Sequence, residues 1–275
     1  MASGQKLAGK RAVILGAGTF GNMGQVMARR FMQEGAKVLV AGRNEVELAR
    51  FAQDAECAWT RCDICEQADI QNLVATARAK LGGIDIAVNS TGWGLMKSFL
   101  DTTVDDLDAM AAVQLRGPFM FFQEMVKAME GGGSLIQISS IVAKIMCHDH
   151  AAYMATKAAT DHLIRVVANE FGEKGIRANS ISPALTATPM AMEFVPAQEV
   201  YVPQFPLGRI GTADDIAAAA VWLASDECFM TGENLQVNGG FTLRRHPTKE
   251  EIASTGVSLS YEQNGAAAKA AGGGR

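Results

Sequence analysis

Short unbroken apolar runs alternate along the chain with longer stretches whose apolar positions recur every three or four residues. The short runs, rich in β-branched residues, predict strands at Ala12–Leu15, Lys37–Ala41, Ala58–Cys62, Ile84–Asn89, Ser134–Ser139, Arg177–Ile181 and Asn234–Val237. The longer stretches predict helices at Gly21–Glu34, Glu45–Gln53, Glu66–Leu81, Asp105–Glu130, Ala151–Glu173 and Ala213–Ser225. Strands without polar alternation are covered on both faces, as in a parallel sheet. Strict β-α order then implies right-handed crossovers and one doubly wound α/β domain of about seven strands. The pattern ends near residue 243. Residues 246–275 turn polar and then rich in Ala and Gly, which reads as a flexible tail.

Composition narrows the function classes. Of 275 residues, 48% are hydrophobic and 20% charged, the balance of a globular domain. The net charge of −4, with no basic run, argues against nucleic acid and anionic membrane as partners. No apolar stretch approaches the roughly 20 residues needed to span a bilayer, and Met1–Lys10 lacks the apolar core of a secretory signal. A cytoplasmic location is expected. The five cysteines (57, 62, 65, 147 and 228) are odd in number and irregular in spacing, so no disulfide framework is expected. Cys62-Asp-Ile-Cys65 has no second pair to complete a zinc site, and His148-Asp149-His150 has no third ligand near it in sequence, so no metal is expected.

Chemistry is concentrated at two places. The first strand runs into Gly16-Ala-Gly18-Thr-Phe-Gly21-Asn-Met-Gly24 and straight into a helix. Glycines there let backbone approach a pyrophosphate, and the free N–H groups of the helix start bind its charge. The second strand ends in Gly42-Arg43 where an NAD-selective fold places an acid. Arg43 can fork onto a 2′-phosphate, so NADP(H) is favoured over NAD(H), against a reading in which Arg43 merely stacks on adenine or faces water. The second place is Tyr153-Met-Ala-Thr-Lys157, thirteen residues after Ser140. Four apart on a helix, the phenol and the ammonium share one face. A cation beside a phenol lowers its pKa toward the range a general acid–base needs.

Together these motifs resemble the short-chain dehydrogenase/reductase family over residues 7–243. Asp63-Ile64 follows the third strand, Asn89-Ser-Thr-Gly92 the fourth, and Ile138-Ser-Ser140 ends the fifth. Pro183-Ala-Leu-Thr186-Ala-Thr188, Pro206-Leu-Gly-Arg209 and Val237-Asn-Gly-Gly240 are similar to later family signatures. The resemblance implies a Rossmann-type fold and a nicotinamide cofactor held by Gly16, Gly18, Gly21, Gly24, Arg43, Asp63, Ile64, Asn89, Tyr153, Lys157, Thr186 and Thr188. It also implies that Tyr153 exchanges a proton with the substrate oxygen and that Ser140 hydrogen-bonds that oxygen. Lys157 would tune Tyr153 and bond the nicotinamide ribose. Two departures stand out. Gln114 occupies the position of a family Asn, one methylene longer, and the glycine spacing is nearer to the family's extended branch.

The segment 188–209 is expected to form a substrate lid. Met190, Met192, Phe194, Val195, Tyr201, Val202 and Phe205, with Trp93, Ile145 and Met146, predict an apolar lining for a bulky alicyclic or aromatic ketone or secondary alcohol. The alternatives are a 3-oxoacyl-thioester reductase of lipid metabolism, and a non-catalytic dinucleotide-binding regulator suggested by Gln114 and the unusual loop. The first would need a basic docking surface, and the helix after Lys157 offers little beyond Arg165. Long apolar helix faces at 105–130 and 151–173, paired in relatives of the family, imply a homotetramer.

Overall fold

The computed structural model describes residues 5–189, 191 and 197–257. The predicted strands form one parallel sheet: β1 (Arg11–Leu15), β2 (Lys37–Gly42), β3 (Ala58–Arg61), β4 (Ile86–Asn89), β5 (Gly133–Ile138), β6 (Ile176–Pro183) and, late in the chain, β9 (Asn234–Val237). Among the described residues their spatial order is β3-β2-β1-β4-β5-β6-β9. The order reverses beside β1, so a crevice opens above the carboxyl ends of β1 and β4, where such sheets bind ligands.

Alternation along each strand builds the two halves of the core. Ala12, Ile14, Val38, Val40, Ile86, Val88 and Ile136 face α1 (Met23–Gln33), α2 (Glu45–Ala55) and α8 (Ala213–Ala224). Their neighbours Val13, Leu15, Leu39, Ala41, Ala87, Leu135 and Ala178 face α3 (Gln67–Leu81), α5 (Gly117–Ala128) and α6 (Ala151–Phe171). Each fully buried Phe, Leu or Ile contributes roughly 1.5–3 kcal/mol; Phe31, Phe51, Phe121 and Phe122 lead the set. Away from the crevice, Arg11 ties β1 to the loop before β4 through two hydrogen bonds of 2.7 and 2.8 Å to Asp85. That pairing holds the Asp85 carboxyl below its usual range.

Three differences from the sequence reading have physical causes. α1 begins at Met23 rather than Gly21, because Asn22 caps it by accepting from Gln25 N. The helix expected over 105–130 is α4 (Val104–Ala111) and α5 joined by a π-helical turn at Ala112–Arg116, which contains Gln114. The segment read as a tail is folded where it is described. There Thr248 and Glu251 form a reciprocal capping box that starts α9 (Lys249–Ala253), with Ile252 buried. Residues 258–275 lie outside the described residues. Between β6 and β9 the chain also makes a two-stranded piece, β7 (Thr186–Ala187) with β8 (Gly211–Thr212), and a short helix α7 (Gln198–Tyr201).

Candidate active site

Ser140 follows β5, and its hydroxyl accepts from Val142 N at 3.4 Å to cap a 3-10 turn. Tyr153 and Lys157 occupy the first two turns of α6, whose N-terminus meets the end of β5. The three residues expected from the sequence are therefore brought together. Lys157 is 4% exposed. Its Nζ donates to Ile138 O at 3.0 Å and lies 5.6 Å from the centre of the Tyr153 ring. Burial pushes the ammonium down to about 8, with Asp161 opposing. The phenol differs from expectation. Burial raises the Tyr153 pKa, and the hydrogen bond with Ser140 opposes that rise. Desolvation is the largest influence on the phenol, while the ammonium donates to the Ile138 carbonyl.

Gln114 reaches the same place from the π-turn, a local distortion often found at functional sites. Its Nε2 donates to Trp93 O at 3.1 Å and contacts Met110 Sδ, whereas its buried Oε1 has no partner. Its backbone carbonyl accepts from Thr160 Oγ1. One turn beyond Lys157, Asp161 accepts from Asn234 Nδ2 at 2.5 Å. The Ser139 and Ser180 hydroxyls lie near enough to lower its pKa against a larger desolvation effect. They are not well aligned with it, so Asp161 Oδ1, Ser139 Oγ and Ser180 Oγ remain without a well-formed bond.

The glycine loop fits a pyrophosphate. Gly24 packs so closely beneath it that a Cβ there would sit 2.5 Å from Gly16 O. Gly16 has φ +107, and a Cβ on it would strike the Ser90 backbone at 2.6 Å, so Gly16 faces protein. Gly18 is more open, its nearest neighbour to a Cβ being Asn44 N at 3.4 Å. The N–H groups of Gly18, Thr19 and Phe20 have no partner among the described residues, which leaves a row of donors at the start of α1. Gly21, at φ +66, sends its N–H to Gln25 Oε1 at 3.0 Å. Arg43 is exposed at the end of β2 with no side-chain partner among the described residues.

Other expected cofactor residues are differently engaged. Asn89 is fully buried: its Nδ2 donates to Gln137 Oε1 at 2.9 Å, and its Oδ1 accepts from Thr91 N and Oγ1. Its amide thus clamps β4 to β5 and to the loop that follows β4. Asp63 Oδ1 accepts from Cys65 N at 3.0 Å. Ile64 is buried where a Cβ on Gly117 would meet it at 2.9 Å, so only its backbone can face a cofactor.

Beside Tyr153 opens a cavity of about 230 Å³. Ser139, Ser140, Thr186 and Thr188 line it, with Ile141, Leu185 and Phe241 as apolar walls. The apolar lining read from the sequence is corrected here. Phe205 packs in the core against Phe241, Met146 is 72% exposed, and neither lines the cavity. Trp93 and Ile145 are likewise absent from the lining, whereas Tyr201 is present. Met190, Met192, Phe194 and Val195 lie outside the described residues. The sequence reading missed His246, Lys249 and Ile252, which enter the cavity wall from the supposed tail. The capping-box spacing Thr248-x-x-Glu251 was the signal for it.

Among the described residues no helix is long and apolar enough to cross a membrane, and no group of His, Cys, Asp and Glu could hold a metal ion. All five cysteines are free. Burial pushes the Cys62 thiol up to about 12 and that of Cys65 to about 11.

A family model described as enoyl-(acyl carrier protein) reductase matches residues 16–242. The chain is 33% identical over 250 residues to the 2,5-dichloro-2,5-cyclohexadiene-1,4-diol dehydrogenase LinX of Sphingobium indicum, covering 86% of this chain and 98% of the relative. It is 31% identical to the D-threitol dehydrogenase of Mycolicibacterium smegmatis, covering 87% and 95%. A short-chain type dehydrogenase/reductase from Mycobacterium ulcerans superposes with a TM-score of 0.84 at 27% identity, covering 92% of this chain and 99% of that one. With the sheet order, the glycine loop and the paired Tyr153 and Lys157, these likenesses show that the chain belongs to the short-chain dehydrogenase/reductase family, as an NAD(P)-dependent oxidoreductase of alcohols.

Proposed function

We propose that this enzyme interconverts a cyclic ketone and its secondary alcohol with NADP(H) in preference to NAD(H). The observation that carries the reading is that Ser140 and Tyr153 share one cavity wall, with buried Lys157 Nζ behind them 5.6 Å from the centre of the Tyr153 ring. The cofactor supplies or accepts the hydride when bound. Tyr153 exchanges a proton with the substrate oxygen, and Ser140 hydrogen-bonds that oxygen as its charge develops. Lys157, already costly to keep charged, favours the ionised phenol once a ligand fills the crevice and excludes water. Gln114 Oε1, buried and unpartnered, is placed to accept from a water or from the Lys157 side. The diol and tetritol dehydrogenases among the relatives support an alcohol substrate.

The cofactor residues follow from the loop. Gly18 and the start of α1 take the pyrophosphate, Gly16, Gly21 and Gly24 shape the turn, and Thr186 and Thr188 face the nicotinamide amide. Asp63 and the Ile64 backbone border the adenine, and Arg43 takes the 2′-phosphate. Comparing kcat/KM for NADPH and NADH in the wild type and in Arg43→Asp tests this. A preference for NADPH of about a hundredfold, reversed or abolished in the variant, supports it; equal use of both by the wild type overturns it. The free thiols suit a reducing, cytoplasmic compartment. Exposed Val104 and Leu107 on α4, Phe119 on α5 and Val166 on α6 support a homotetramer, which a sedimentation measurement showing a monomer would refute.

A further inference from the structure

The cavity wall also holds a polar group that proton exchange at Tyr153 does not use. Cys147 Sγ lies 3.4 Å from His150 Nδ1 and 3.5 Å from His246 Nε2. All three side chains line the cavity, and the His150 ring centre is 6.3 Å from that of Tyr153.

His246 comes from the segment past the matched family region and is held firmly. It packs edge-on against Tyr201 and Phe241 at 5.4 and 5.9 Å. Behind it, Arg245 pairs with Glu251 at 2.5 and 2.7 Å. Lys249 pairs with Asp149, the residue between the loop histidines, which sits at φ +60. The segment 244–253 is thus strapped across the 147–150 loop, and the strap and loop together present the cluster to the cavity.

Hydrogen bonding assigns the protons. His150 Nδ1 lies 2.7 Å from His148 O, which can only accept, so Nδ1 carries the hydrogen and Nε2 the lone pair. His246 Nδ1 lies 3.1 Å from Pro247 O, so its Nε2 is likewise a lone pair and accepts from the Cys147 thiol. Burial keeps both imidazoles neutral by lowering their pKa values, and raises the thiol to about 12, so it stays protonated. The Cys147–His246 pair is then satisfied within the protein. His150 Nε2 is left as an acceptor with no partner among the described residues, in a cavity whose lining combines the apolar Ile141, Val142 and Ile252 with Asp149 and Lys249, which pair with each other. A lone-pair acceptor in such a wall selects a ligand that donates.

We propose that His150, held by Cys147 and by His246 of the strap, is a substrate-specificity residue whose Nε2 accepts a hydrogen bond from a second hydroxyl on the substrate. The substrate class is then a cyclic diol or the matching hydroxyketone, rather than a simple ketone. This inference rests on the alcohol-dehydrogenase reading above.

The test uses full-length protein saturated with oxidised cofactor, NADP+ and NAD+ in parallel. Binding of cyclohexanol, cyclohexane-1,2-diol and cyclohexane-1,4-diol is measured by calorimetric titration, and turnover is followed alongside. In the wild type at least one diol binds about tenfold tighter than cyclohexanol, the size of one hydrogen bond not left unmade. The ratio falls to about one in His150→Phe and is retained in His150→Gln, whose Oε1 can accept. A wild-type ratio near one for both diols overturns the proposal, as does a ratio that survives in His150→Phe. Should His150→Phe fail to fold, His150→Leu, which likewise cannot accept a hydrogen bond, takes its place: loss of the ratio supports the proposal and its survival overturns it. Absence of turnover with all three alcohols would count against the alcohol-dehydrogenase reading, while the binding ratio still judges the subsite.

Discussion

Two sets of buried polar groups share this sheet, and they are treated oppositely. On β4, β5 and β6, Asn89 bonds Gln137 and Thr91, Ser134 Oγ donates to Leu223 O at 2.9 Å, and Asn179 bonds Met230 O and Glu233 N at 2.8 and 3.1 Å. Around Lys157, by contrast, Gln114 Oε1, Ser139 Oγ, Ser180 Oγ and Asp161 Oδ1 are buried and lack a well-formed bond. A buried polar group left unmade costs roughly 1–3 kcal/mol. A fold that saturates one set and leaves the other short is reserving the second for a ligand or water. Position decides which. The saturated groups hold strand to strand or strand to loop, and the unsaturated ones lie near Lys157 and Asp161 of α6.

The largest way to test that contrast is Tyr153→Phe. It removes the proton donor and acceptor and nothing that holds the sheet. A fall in kcat/KM of about 10²–10⁴ is expected, with a melting temperature within a degree or two of wild type. A large loss of stability instead would place Tyr153 with the structural set. Next comes Lys157→Met, which should stabilise the protein. The folded pKa of Lys157 is lowered to about 8 from 10.5. Below pH 8 the ammonium is charged in both states, and the folded state bears the full cost of burying it, about 3 kcal/mol by linkage. As pH rises from 8 to 10.5 the unfolded chain holds the extra proton, so wild-type stability climbs and the cost disappears. Denaturant titration should find the Met variant more stable at pH 7 and nearly equal to wild type at pH 10.5. A variant less stable at pH 7 would mean that the bond to Ile138 O outweighs desolvation.

The same contrast explains what could be read from the sequence. Strands such as Ala12–Leu15 and the Tyr153–Lys157 spacing were legible because apolar runs and helical periodicity are local properties. The glycine loop was legible because Gly24 and Gly16 are dictated by close backbone contact, although which glycine faces the ligand was not. The partners of the Asn89 amide, Gln137 on β5 and Thr91, could not be read from its motif, because a motif gives no indication of which way a side chain points. The direction of the Tyr153 shift was misjudged because burial is a tertiary quantity. Gln114 was read as an amide replacing an amide, while the π-turn that turns it inward depends on packing against α6. His246 was hidden in a segment whose composition suggests a tail. It is brought to Cys147, ninety-nine residues away, by one capping box and two ion pairs.

The smallest effect provides the sharpest test, because it compares neighbours on one strand. Asn179 and Ser180 are both buried in β6 and point to opposite faces of the sheet. Asn179→Ala removes the bonds to Met230 O and Glu233 N at the turn into β9, and should cost about 1–2 kcal/mol. The loss would be read as a lower denaturant midpoint, with KM for cofactor unchanged. Ser180→Ala removes a hydroxyl that has no well-formed bond to lose, and its Cβ remains to fill the space. It should cost less than about 0.5 kcal/mol. Its effect should appear instead at Asp161, whose carboxyl loses one of the dipoles that lower its pKa, so it should titrate at a higher pH than in the wild type. Chemical-shift titration of that carboxyl, beside the two denaturant curves, distinguishes the cases. Equal destabilisation by the two alanines would mean that Ser180 is as firmly paired as Asn179 and that the contrast between the two sets does not hold.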